Sequence, residues 1–323
     1  MPTEASEPRT RWQVRVDTGG TFTDCVAVGP GDRNVRAKAL SSSALRGRII
    51  RIEEGSELIV DGLENLPSDP LRDWRIRIPG QERVPEMAVE GWERGHRRLT
   101  LGRNLPKELR ETELIELRCP GEAPILATHL ALGVPWGAEL PVLDLRLATT
   151  LGTNALLERR GAATVLFVTR GFGDLLRIGD QSRPELFALE IRRPEPYCRD
   201  VIEVDERLDA RGNALRGVPL DGLRREVDEV LERGVRSAAV SLLHAYRNGD
   251  HERRLASFLR REGFEHVSVS HEVSPLLGYL QRTRTAVVDA YLAPIFRGYL
   301  ERIRGSLTDG SRILVMTSSG GLL

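Results

Sequence analysis

Apolar strands alternate with amphipathic helices in the second half of the sequence, and this pattern restricts the fold more than any other feature. Residues 163–169 form an apolar, β-branched run that is typical of a buried strand. Apolar residues repeat at helical spacing from Leu220 to Leu231, and residues 235–243 form a second apolar run. Such alternation predicts an α/β sheet with helices on its faces.

The alternation continues towards the end of the sequence. Apolar and polar residues alternate from Val267 to His271, which predicts a further strand. Residues 276–306 have helical character, and Pro294 is expected to kink or restart that helix. Residues 313–316 form the last predicted strand.

The N-terminal residues have a β pattern instead. Residues 1–11 are polar, and we expect them to be disordered. Apolar and polar residues alternate from Trp12 to Val16, and further strands are predicted at 22–28 and 35–40. A glycine-containing turn separates the first two strands. Residues 12–45 are therefore expected to form a β-meander.

The segment 46–122 differs in pattern from the residues on both sides. It carries short alternating runs, such as those at 74–78, 98–101 and 114–117, and glycine and proline interrupt them. We interpret this segment as an inserted small β-rich subdomain. Residues 123–323 would then be the remainder of the α/β region.

The composition argues against several classes of function. Lys+Arg and Asp+Glu are both 47, so a net charge of zero gives no electrostatic reason to expect nucleic acid or an anionic membrane as a partner. No apolar run reaches membrane-spanning length. The 3 cysteines are far apart, which favours a reducing, cytoplasmic environment over a disulfide framework.

The Asp17–Asp24 segment, DTGGTFTD, is the strongest local indication of function. Gly19 and Gly20 would let the backbone approach a phosphate without a Cβ clash, and backbone N–H groups in such a turn can point at the anion. Three threonines of the segment are further candidate phosphate ligands: Thr18, Thr21 and Thr23.

The two aspartates of this segment are candidate catalytic residues. Asp17 can hold Mg²⁺ through water, and Asp24 can position a metal-bound water or fix the loop. The alternative is an ordinary Gly-Gly hairpin with polar turn residues. The combination of hydroxyl and carboxylate side chains favours phosphate binding over that alternative. Neither GxxxxGK[ST] nor a strand-linked GxGxxG occurs in the sequence.

Several ordered segments resemble the hydantoinase A and 5-oxoprolinase family. VDTGGTFTD is similar to the phosphate loop of the acetate-kinase, sugar-kinase, heat-shock and actin ATPase superfamily, in which that family lies. The other segments follow in family order: ATTLGTNALLERRGA (148–162), LFVTRGFGDLLRIGDQSRPELFAL (166–189), VIEVDERLDARG (201–212), VSHEVSP (269–275), RTRTAVVDAYL (282–292) and MTSSGG (316–321). Residues 46–122 do not share this resemblance, and we assign no function to them.

The resemblance implies a ribonuclease-H-like ATPase lobe, a mixed sheet with flanking helices, that carries the inserted β-rich subdomain. It also implies a second group of residues that bind substrate or form the wall of the site. These residues are Thr150, Gly152, Thr153, Asn154, Arg170, Gly171, Arg183, Ser318, Ser319, Gly320 and Gly321.

Alternative roles remain for several of these residues. Thr153 or Asn154 can cap the start of a helix, because both are good N-cap residues in any protein. Arg170 can clamp a carboxylate or phosphate, or it can form an ordinary surface ion pair. The same alternatives apply to Arg183.

The function implied by the resemblance is that of an ATP-dependent cyclic-amide hydrolase of the 5-oxoprolinase or hydantoinase type. Such an enzyme phosphorylates the amide oxygen so that water can open the ring, and it requires ATP and Mg²⁺. The implied partners are a small cyclic-amide substrate and a hydantoinase B-like subunit or fused region, within a homo-oligomer or hetero-oligomer. The alternatives are an ATP-using subunit of an acetone-carboxylase-like enzyme and a non-catalytic nucleotide-dependent assembly module.

The superfamily resemblance further implies that ATP lies between two lobes, each with its own phosphate loop. The sequence contains one DxGGT loop, and the Gly320-Gly321 turn has no acidic residue before it. We expect the second loop to lie beyond Leu323, so the 323-residue chain alone should bind ATP weakly and show no significant ATPase or ring-opening activity. Isothermal titration with Mg-ATP and a phosphate-release assay measure this, and tight binding or steady turnover would mean that the site is complete.

Overall fold

The computed structural model describes residues 11–53, 55–68, 71–81, 84–104, 109–180, 194–317 and 321–322. Its strands are, in chain order, β1 (Trp12–Thr18), β2 (Phe22–Val28), β3 (Asn34–Leu40), β4 (Ala44–Ile52), β5 (Glu57–Asp61), β6 (Arg75–Arg77), β7 (Met87–Glu93), β8 (Arg98–Leu101), β9 (Leu114–Arg118), β10 (Leu143–Thr149), β11 (Thr164–Thr169), β12 (Asp200–Val204), β13 (Arg207–Leu208), β14 (Ala214–Arg216), β15 (Ser237–Ser241), β16 (His266–Val269) and β17 (Arg312–Val315).

The α-helices of the same residues are α1 (Ala123–Leu132), α2 (Leu151–Leu157), α3 (Leu175–Ile178), α4 (Arg224–Glu232), α5 (Asp250–Glu262), α6 (Ser270–Val273) and α7 (Tyr279–Gly305). The chain divides into two compact units. The first comprises the described parts of Met1–Asn154 and Tyr299–Leu323, and the second is formed by the described parts of Ala155–Gly298.

The first unit contains a mixed sheet with the strand order β3-β2-β1-β10-β17. β1 is antiparallel to β2 and parallel to β10, and β10 is parallel to β17. Alternate side chains of β1 and β2, such as Val14, Val16 and Cys25, are buried, and α1 packs against β1, β2 and β3. The strand predicted at 22–28 is confirmed, and its buried face carries Thr23, Cys25 and Ala27.

Strands β4 to β9 of the first unit form a closed antiparallel barrel. The order is β4-β5-β8-β7-β6-β9, and pairing between β4 and β9 closes the barrel. Closure removes the free edges that would otherwise invite pairing with another chain. The pair Leu40↔Ala44 joins the barrel to β3. The fully buried apolar side chains of the barrel include Ile49, Leu58, Val60, Trp74, Ile76, Leu99 and Ile115.

The second unit contains a parallel sheet with the order β12-β11-β15-β16. Every residue of β11 and of β15 is buried, as expected for parallel strands that helices cover on both faces. Val165 and Phe167 pack in one core with residues of α4 and α5, whereas Leu166 and Val168 pack on the other face against α7. The mixed α/β class predicted from the sequence is thus confirmed. The predicted domain boundaries stay a prediction.

One local expectation was wrong. The strand predicted to reach His271 ends at Val269, and His271 lies in the short helix α6. Alternation of apolar and polar residues indicates a strand but does not fix the residue at which it ends. The long helix predicted at 276–306 is confirmed as α7, which contains Pro294 and does not restart there. Within the described ranges, no helix is long and apolar enough to cross a lipid bilayer.

Gly161 provides a test of the packing in the second unit. A Cβ at this position would lie 1.9 Å from Cε1 of the Tyr291 ring. We expect Gly161→Ala to lower the free energy of unfolding by about 1–3 kcal/mol, because the buried ring must move. Gly217→Ala is the matched control, since a Cβ there would meet no heavy atom within 4 Å. Urea unfolding of both variants measures the difference, and equal midpoints would contradict the packing.

Candidate functional site

The Asp17–Asp24 segment is the tip of the hairpin formed by β1 and β2. The N–H of Gly19 donates to the carbonyl of Phe22 at 3.0 Å, which closes the turn. Gly20 and Thr21 are exposed, and their N–H groups donate to no acceptor among the described residues. Two backbone donors are therefore available to an anion at the tip.

Asp17 and Asp24 lie directly opposite each other across β1 and β2. Both residues are exposed, and like charges at opposed positions destabilise a sheet. Lys38 on β3 offsets part of this repulsion, because its Nζ is 3.2 Å from Oδ1 of Asp24. Asp17 has no ion pair or hydrogen bond through its carboxylate to the residues that the structure describes. Asp17 is thus the carboxylate that is available to a cation.

Thr23 supports the turn from its buried side. Its side chain is fully buried, and its hydroxyl donates to Oγ1 of Thr18 at 3.3 Å and lies 3.2 Å from Oγ of Ser41. The Ser41 hydroxyl in turn donates to the carbonyl of Gly19 at 2.8 Å. These contacts hold the hairpin tip in place. Of the candidate threonines, Thr21 is the one that the turn exposes.

The segment after β10 contacts the same hairpin. The N–H of Thr150 donates to the carbonyl of Thr18 at 2.9 Å, and Nδ2 of Asn154 donates to Oγ1 of Thr150 at 3.3 Å. Gly152 and Thr153 follow in the first turn of α2. The structure thus brings Thr150 into direct contact with the hairpin, and Gly152, Thr153 and Asn154 follow it in α2.

The capping alternative for this segment does not hold. α2 begins at Leu151, so Thr153 and Asn154 lie inside the helix and not at its N-cap. A hydroxyl does contact the start of the helix, but it belongs to Thr149, whose Oγ1 accepts a hydrogen bond from the N–H of Leu151 at 3.1 Å. The helix starts three residues earlier than a cap at Thr153 would require.

Tyr299 lies close to the hairpin and is buried. Burial raises the pKa of its hydroxyl, while the nearby Thr18 and Thr149 side chains act in the opposite direction. The hydroxyl makes no hydrogen bond to the described residues. The tyrosine is on α7, far from β1 in sequence, so no local pattern indicated that it would lie near the Asp17–Asp24 turn.

Arg170 and Gly171 belong to the second unit, and both have partners there. The Arg170 guanidinium lies 3.0 Å from the Asp205 carboxylate and is largely exposed. The N–H of Gly171 donates to Oε1 of Glu203 at 3.0 Å, and that of Gly173 donates to the same atom at 2.8 Å. The surface ion pair considered for Arg170 is therefore present, and a carboxylate already occupies the Gly171 turn.

Four predicted site residues lie outside the described residues: Arg183, Ser318, Ser319 and Gly320. Gly321 is described, and its carbonyl accepts a hydrogen bond from the N–H of Thr317 at 2.8 Å. This turn follows β17, which pairs with β10 in the first unit. Gly321 is thus in the same unit as the Asp17–Asp24 turn.

Comparison with known proteins identifies the family. Residues 128–263 match the family described as hydantoinase/oxoprolinase N-terminal region, and residues 282–323 match the one described as hydantoinase/oxoprolinase. Together the two matches cover more than half of the chain. The chain belongs to the hydantoinase/oxoprolinase family. The resemblance seen in the sequence motifs is thereby confirmed.

The relatives of this hydantoinase/oxoprolinase chain include 5-oxoprolinase 1 of Arabidopsis thaliana, which is 36% identical over 223 residues, 61% of this chain and 18% of that protein. The 5-oxoprolinase of Saccharomyces cerevisiae is 35% identical and is matched over 59% of this chain and 17% of its own length. The acetophenone carboxylase gamma subunit of Aromatoleum aromaticum is 32% identical, over 56% of this chain and 28% of its own. The chain thus spans about a fifth of the length of the two 5-oxoprolinases.

Two solved structures share the fold. Nucleotide-free acetone carboxylase has a TM-score of 0.61 at 20% identity, covering 97% of this chain and 37% of that chain. The ATP-dependent caprolactamase from Pseudomonas jessenii has a TM-score of 0.56 at 20% identity, covering 96% and 36%. At this identity the likeness shows the fold alone.

Sequence reasoning missed a buried polar cluster at the carboxyl ends of the parallel strands in the second unit. Thr169, Ser241 and Ser270 stand at the ends of β11, β15 and β16, and all three are fully buried. The Thr169 hydroxyl donates to the Glu206 carboxylate, which also lies 2.6 Å from Nδ1 of His251. Parallel α/β sheets bind ligands at this end of their strands, so the cluster requires an explanation.

Glu252 is the centre of this cluster. Its carboxylate accepts hydrogen bonds from the N–H of Leu242 at 2.7 Å and the hydroxyl of Ser270 at 2.6 Å, and it lies 2.6 Å from Nδ1 of His271. The buried Arg282 donates its Nε to Ser270 at 2.9 Å. Burial lowers the pKa of Arg282, and the Glu252 carboxylate opposes that shift. The charged groups in the cluster therefore compensate one another.

The outer nitrogen of His271 is closed to a ligand. Its Nε2 makes no hydrogen bond to the described residues, and the nearest carboxylate oxygen, on Glu272, is 3.8 Å away. The ring packs against Gly249, where a Cβ would lie 2.2 Å from Nε2. The cluster is therefore a brace that ties the strand ends to α5 and α7. The VSHEVSP and RTRTAVVDAYL segments contain three of its members, and that was the available sequence indication.

Replacing Glu252 distinguishes a brace from a catalytic group. Glu252→Gln keeps the shape of the side chain, but it places an amide N–H₂ group opposite groups that themselves donate hydrogen bonds. We expect the free energy of unfolding to fall by roughly 3 kcal/mol, as when a buried ion pair loses one partner. Glu265→Gln, at an exposed position of the same unit, is the control. Chemical denaturation measures both, and unchanged stability of Glu252→Gln would show that the cluster does not brace the sheet.

Proposed function

We propose that the chain is the N-terminal part of an ATP-dependent cyclic-amide hydrolase of the 5-oxoprolinase or hydantoinase type. The observation that carries this proposal is the exposed Gly20–Thr21 tip, whose N–H groups have no acceptor among the described residues. The same hairpin carries the Asp17 carboxylate, which has no partner among those residues either. Donors and a carboxylate in this arrangement suit a polyphosphate and its cation. Relatives that are 5-oxoprolinases supply the substrate class.

Gly20 supports phosphate binding because the protein itself does not require a glycine there. A Cβ at this position would meet no heavy atom within 4 Å, and the φ angle of Gly20 is not in the left-handed region. Neither packing nor backbone conformation therefore excludes a larger residue. A phosphate that comes close to the backbone does exclude one, because a Cβ would occupy the space beside the N–H.

The carboxylates at the turn fit Mg²⁺ that is shared with phosphate. Mg²⁺ in nucleotide sites takes one or two carboxylates, with waters and phosphate oxygens completing its shell. In the described part of the chain, no group of three or more His, Cys, Asp or Glu side chains could hold a metal alone. Asp17 would supply the carboxylate, with Asp24 opposite it. Bound there, Mg²⁺ would neutralise phosphate charge.

The strand order supports a ribonuclease-H-like ATPase lobe in the first unit. Three antiparallel strands, β3, β2 and β1, continue into the parallel strands β10 and β17, which is the order expected of such a lobe. In this arrangement the phosphate turn lies between β1 and β2, and the TNALL segment (153–157) follows β10. Both segments then lie at one end of the sheet, where the Thr150–Thr18 hydrogen bond joins them.

The chemistry proposed for the whole enzyme explains why a phosphate site is needed. An amide carbonyl is a poor electrophile, and transfer of a phosphoryl group to its oxygen lets water open the ring. The contribution of this chain is to hold and orient the phosphates, which lowers the barrier by positioning. The cyclic amide, a hydantoinase B-like partner, an oligomeric assembly and a cytoplasmic location are parts of the same proposal.

The substrate would lie beside the phosphates. Thr150, Gly152, Thr153 and Asn154 are the best-supported wall residues, because Thr150 contacts the phosphate turn through Thr18. Gly321 is proposed for the same wall, together with residues outside the described ranges: Arg183, Ser318, Ser319 and Gly320. Arg170 and Gly171 remain proposals with less support, since Asp205 and Glu203 already contact them.

Asp17→Asn in the full-length enzyme tests this proposal. We expect turnover with ATP and 5-oxoproline or a hydantoin to fall at least about 100-fold, the scale on which one charge-stabilising group affects kcat. Stability should change by no more than about 0.5 kcal/mol, because the residue is exposed and relief of the Asp17–Asp24 repulsion is favourable. ADP release and thermal unfolding measure the two effects.

Asp228→Asn, on the exposed face of α4, is the control, and it should leave both quantities unchanged. If Asp17→Asn loses stability, and its turnover falls only because less of the protein is folded, the turn is structural. ATP turnover that requires bicarbonate and a ketone instead of a cyclic amide would favour the carboxylase alternative.

A further inference from the structure

A cleft of roughly 280 Å³ lies between the hairpin tip and the barrel of the first unit. One wall is formed by Gly20 and Thr21 of the phosphate turn. The other wall is formed by side chains from three barrel strands: Arg46 on β4, Arg77 on β6, and Glu116 and Arg118 on β9. We refer to this space as the arginine cleft.

The register of the barrel strands determines this arrangement. Glu116 pairs with Arg46 on one side of β9 and with Arg77 on the other. Arg118 is two residues further along β9, so its side chain leaves the same face of the strand. Ile115 and Leu117, which alternate with Glu116 and Arg118 along β9, are buried in the barrel core. The alternation that fills the barrel thus also places three guanidinium groups on its outer surface beside the phosphate turn.

Positive charge exceeds negative charge in the arginine cleft. Oε1 of Glu116 is 3.3 Å from Nη2 of Arg46, and its Oε2 is 3.0 Å from Nη2 of Arg77. Glu116 is buried although it faces outwards, whereas the two arginine side chains are 54% and 49% exposed. Arg118 is 45% exposed and contacts Glu86, which does not line the cleft. One lining carboxylate thus faces three lining guanidinium groups.

The donors in the cleft are also incompletely used. A guanidinium carries five N–H donors, and the contacts to Glu116 and Glu86 use only some of them. Gly20 and Thr21 also line the cleft, and their N–H groups donate to no acceptor among the described residues. Guanidinium groups and backbone N–H groups around one small space suit a tetrahedral oxyanion.

We propose that the arginine cleft is a subsite for a phosphoryl oxyanion, to which the barrel contributes Arg46, Arg77 and Arg118. The group bound is either the terminal phosphoryl group of a nucleotide held by the turn or free inorganic phosphate. The nucleotide source rests on the function proposed above, whereas the affinity for inorganic phosphate does not. The barrel would then be part of the phosphate site and not an appendage of the sheet.

Glu116→Gln and Arg118→Gln give opposite expectations. Arg118→Gln should weaken the binding of inorganic phosphate roughly three- to tenfold, the range for a partly exposed charge-assisted contact. Glu116→Gln should strengthen it by a similar factor, because Arg46 and Arg77 lose the carboxylate that competes for their donors. A purely structural ion-pair cluster predicts neither change in phosphate affinity.

Arg48→Gln is the matched control. Arg48 lies two residues from Arg46 on the same outer face of β4, donates to the carbonyl of Thr112 at 3.1 Å, and does not line the cleft. Isothermal titration of the full chain with sodium phosphate at low ionic strength measures binding, and circular dichroism confirms that each variant is folded. If Glu116→Gln lowers stability, Arg118→Gln still tests the proposal, because Glu116 retains both its partners.

Parallel titrations with Mg-ATP and Mg-ADP distinguish the two sources of the phosphoryl group. Weaker binding of Mg-ATP but not of Mg-ADP by Arg118→Gln identifies the terminal phosphoryl group, and an effect on phosphate alone identifies free phosphate; both support the subsite. If Asp17→Asn leaves nucleotide binding intact while the arginine variants still alter the affinity for phosphate, the nucleotide proposal fails and the subsite stands. The subsite would be overturned if every variant bound phosphate and Mg-ATP with the same affinity as Arg48→Gln. It would also be overturned if the chain bound 5-oxoproline more tightly than phosphate and the same variants abolished the binding of 5-oxoproline.

Discussion

β1 is hydrogen-bonded along both edges, antiparallel to β2 and parallel to β10, and the position of the Asp17–Asp24 turn depends on this double pairing. A strand that is hydrogen-bonded on both sides is constrained along its length, so the sheet fixes the positions of the residues at its carboxyl end. Thr18 shows the consequence, because its carbonyl accepts the N–H of Thr150 across the β10 side. Sites supported by regular elements are more precise than sites on free loops.

The hairpin and the buried strands could be predicted because their determinants are local. Alternation identified β1 at Trp12–Thr18, and continuous apolar runs identified β11 and β15. Asp17 and the two glycines could be proposed as site residues for the same reason, since a turn between two strands exposes its residues. The inward orientation of Thr23 also follows from period two, because Thr23 and Cys25 share a face.

Other features depend on pairing between residues that are distant in sequence, and local pattern carries no information about them. Closure of the barrel requires β4 to pair with β9, and the sequence does not specify which strand of a β-rich segment meets which. The Glu252 cluster requires side chains from strand ends and helices to converge. Tyr299 reaches the hairpin from the last third of α7. Each of these was invisible until the register and packing were known.

The Asp17–Asp24 turn has features that the fold alone does not explain. Gly161 and Gly249 are required by rings that pack against them, those of Tyr291 and His271, and so they are structural. Gly20 has no such neighbour.

The opposed carboxylates of Asp17 and Asp24 likewise have an unfavourable effect on the sheet that Lys38 only partly offsets. A glycine without a packing or backbone requirement and a like-charge pair that is only partly compensated occur together at one hairpin. Locally unfavourable choices concentrate where function requires them. A ligand that needs close backbone approach and brings a cation would supply both missing explanations at once.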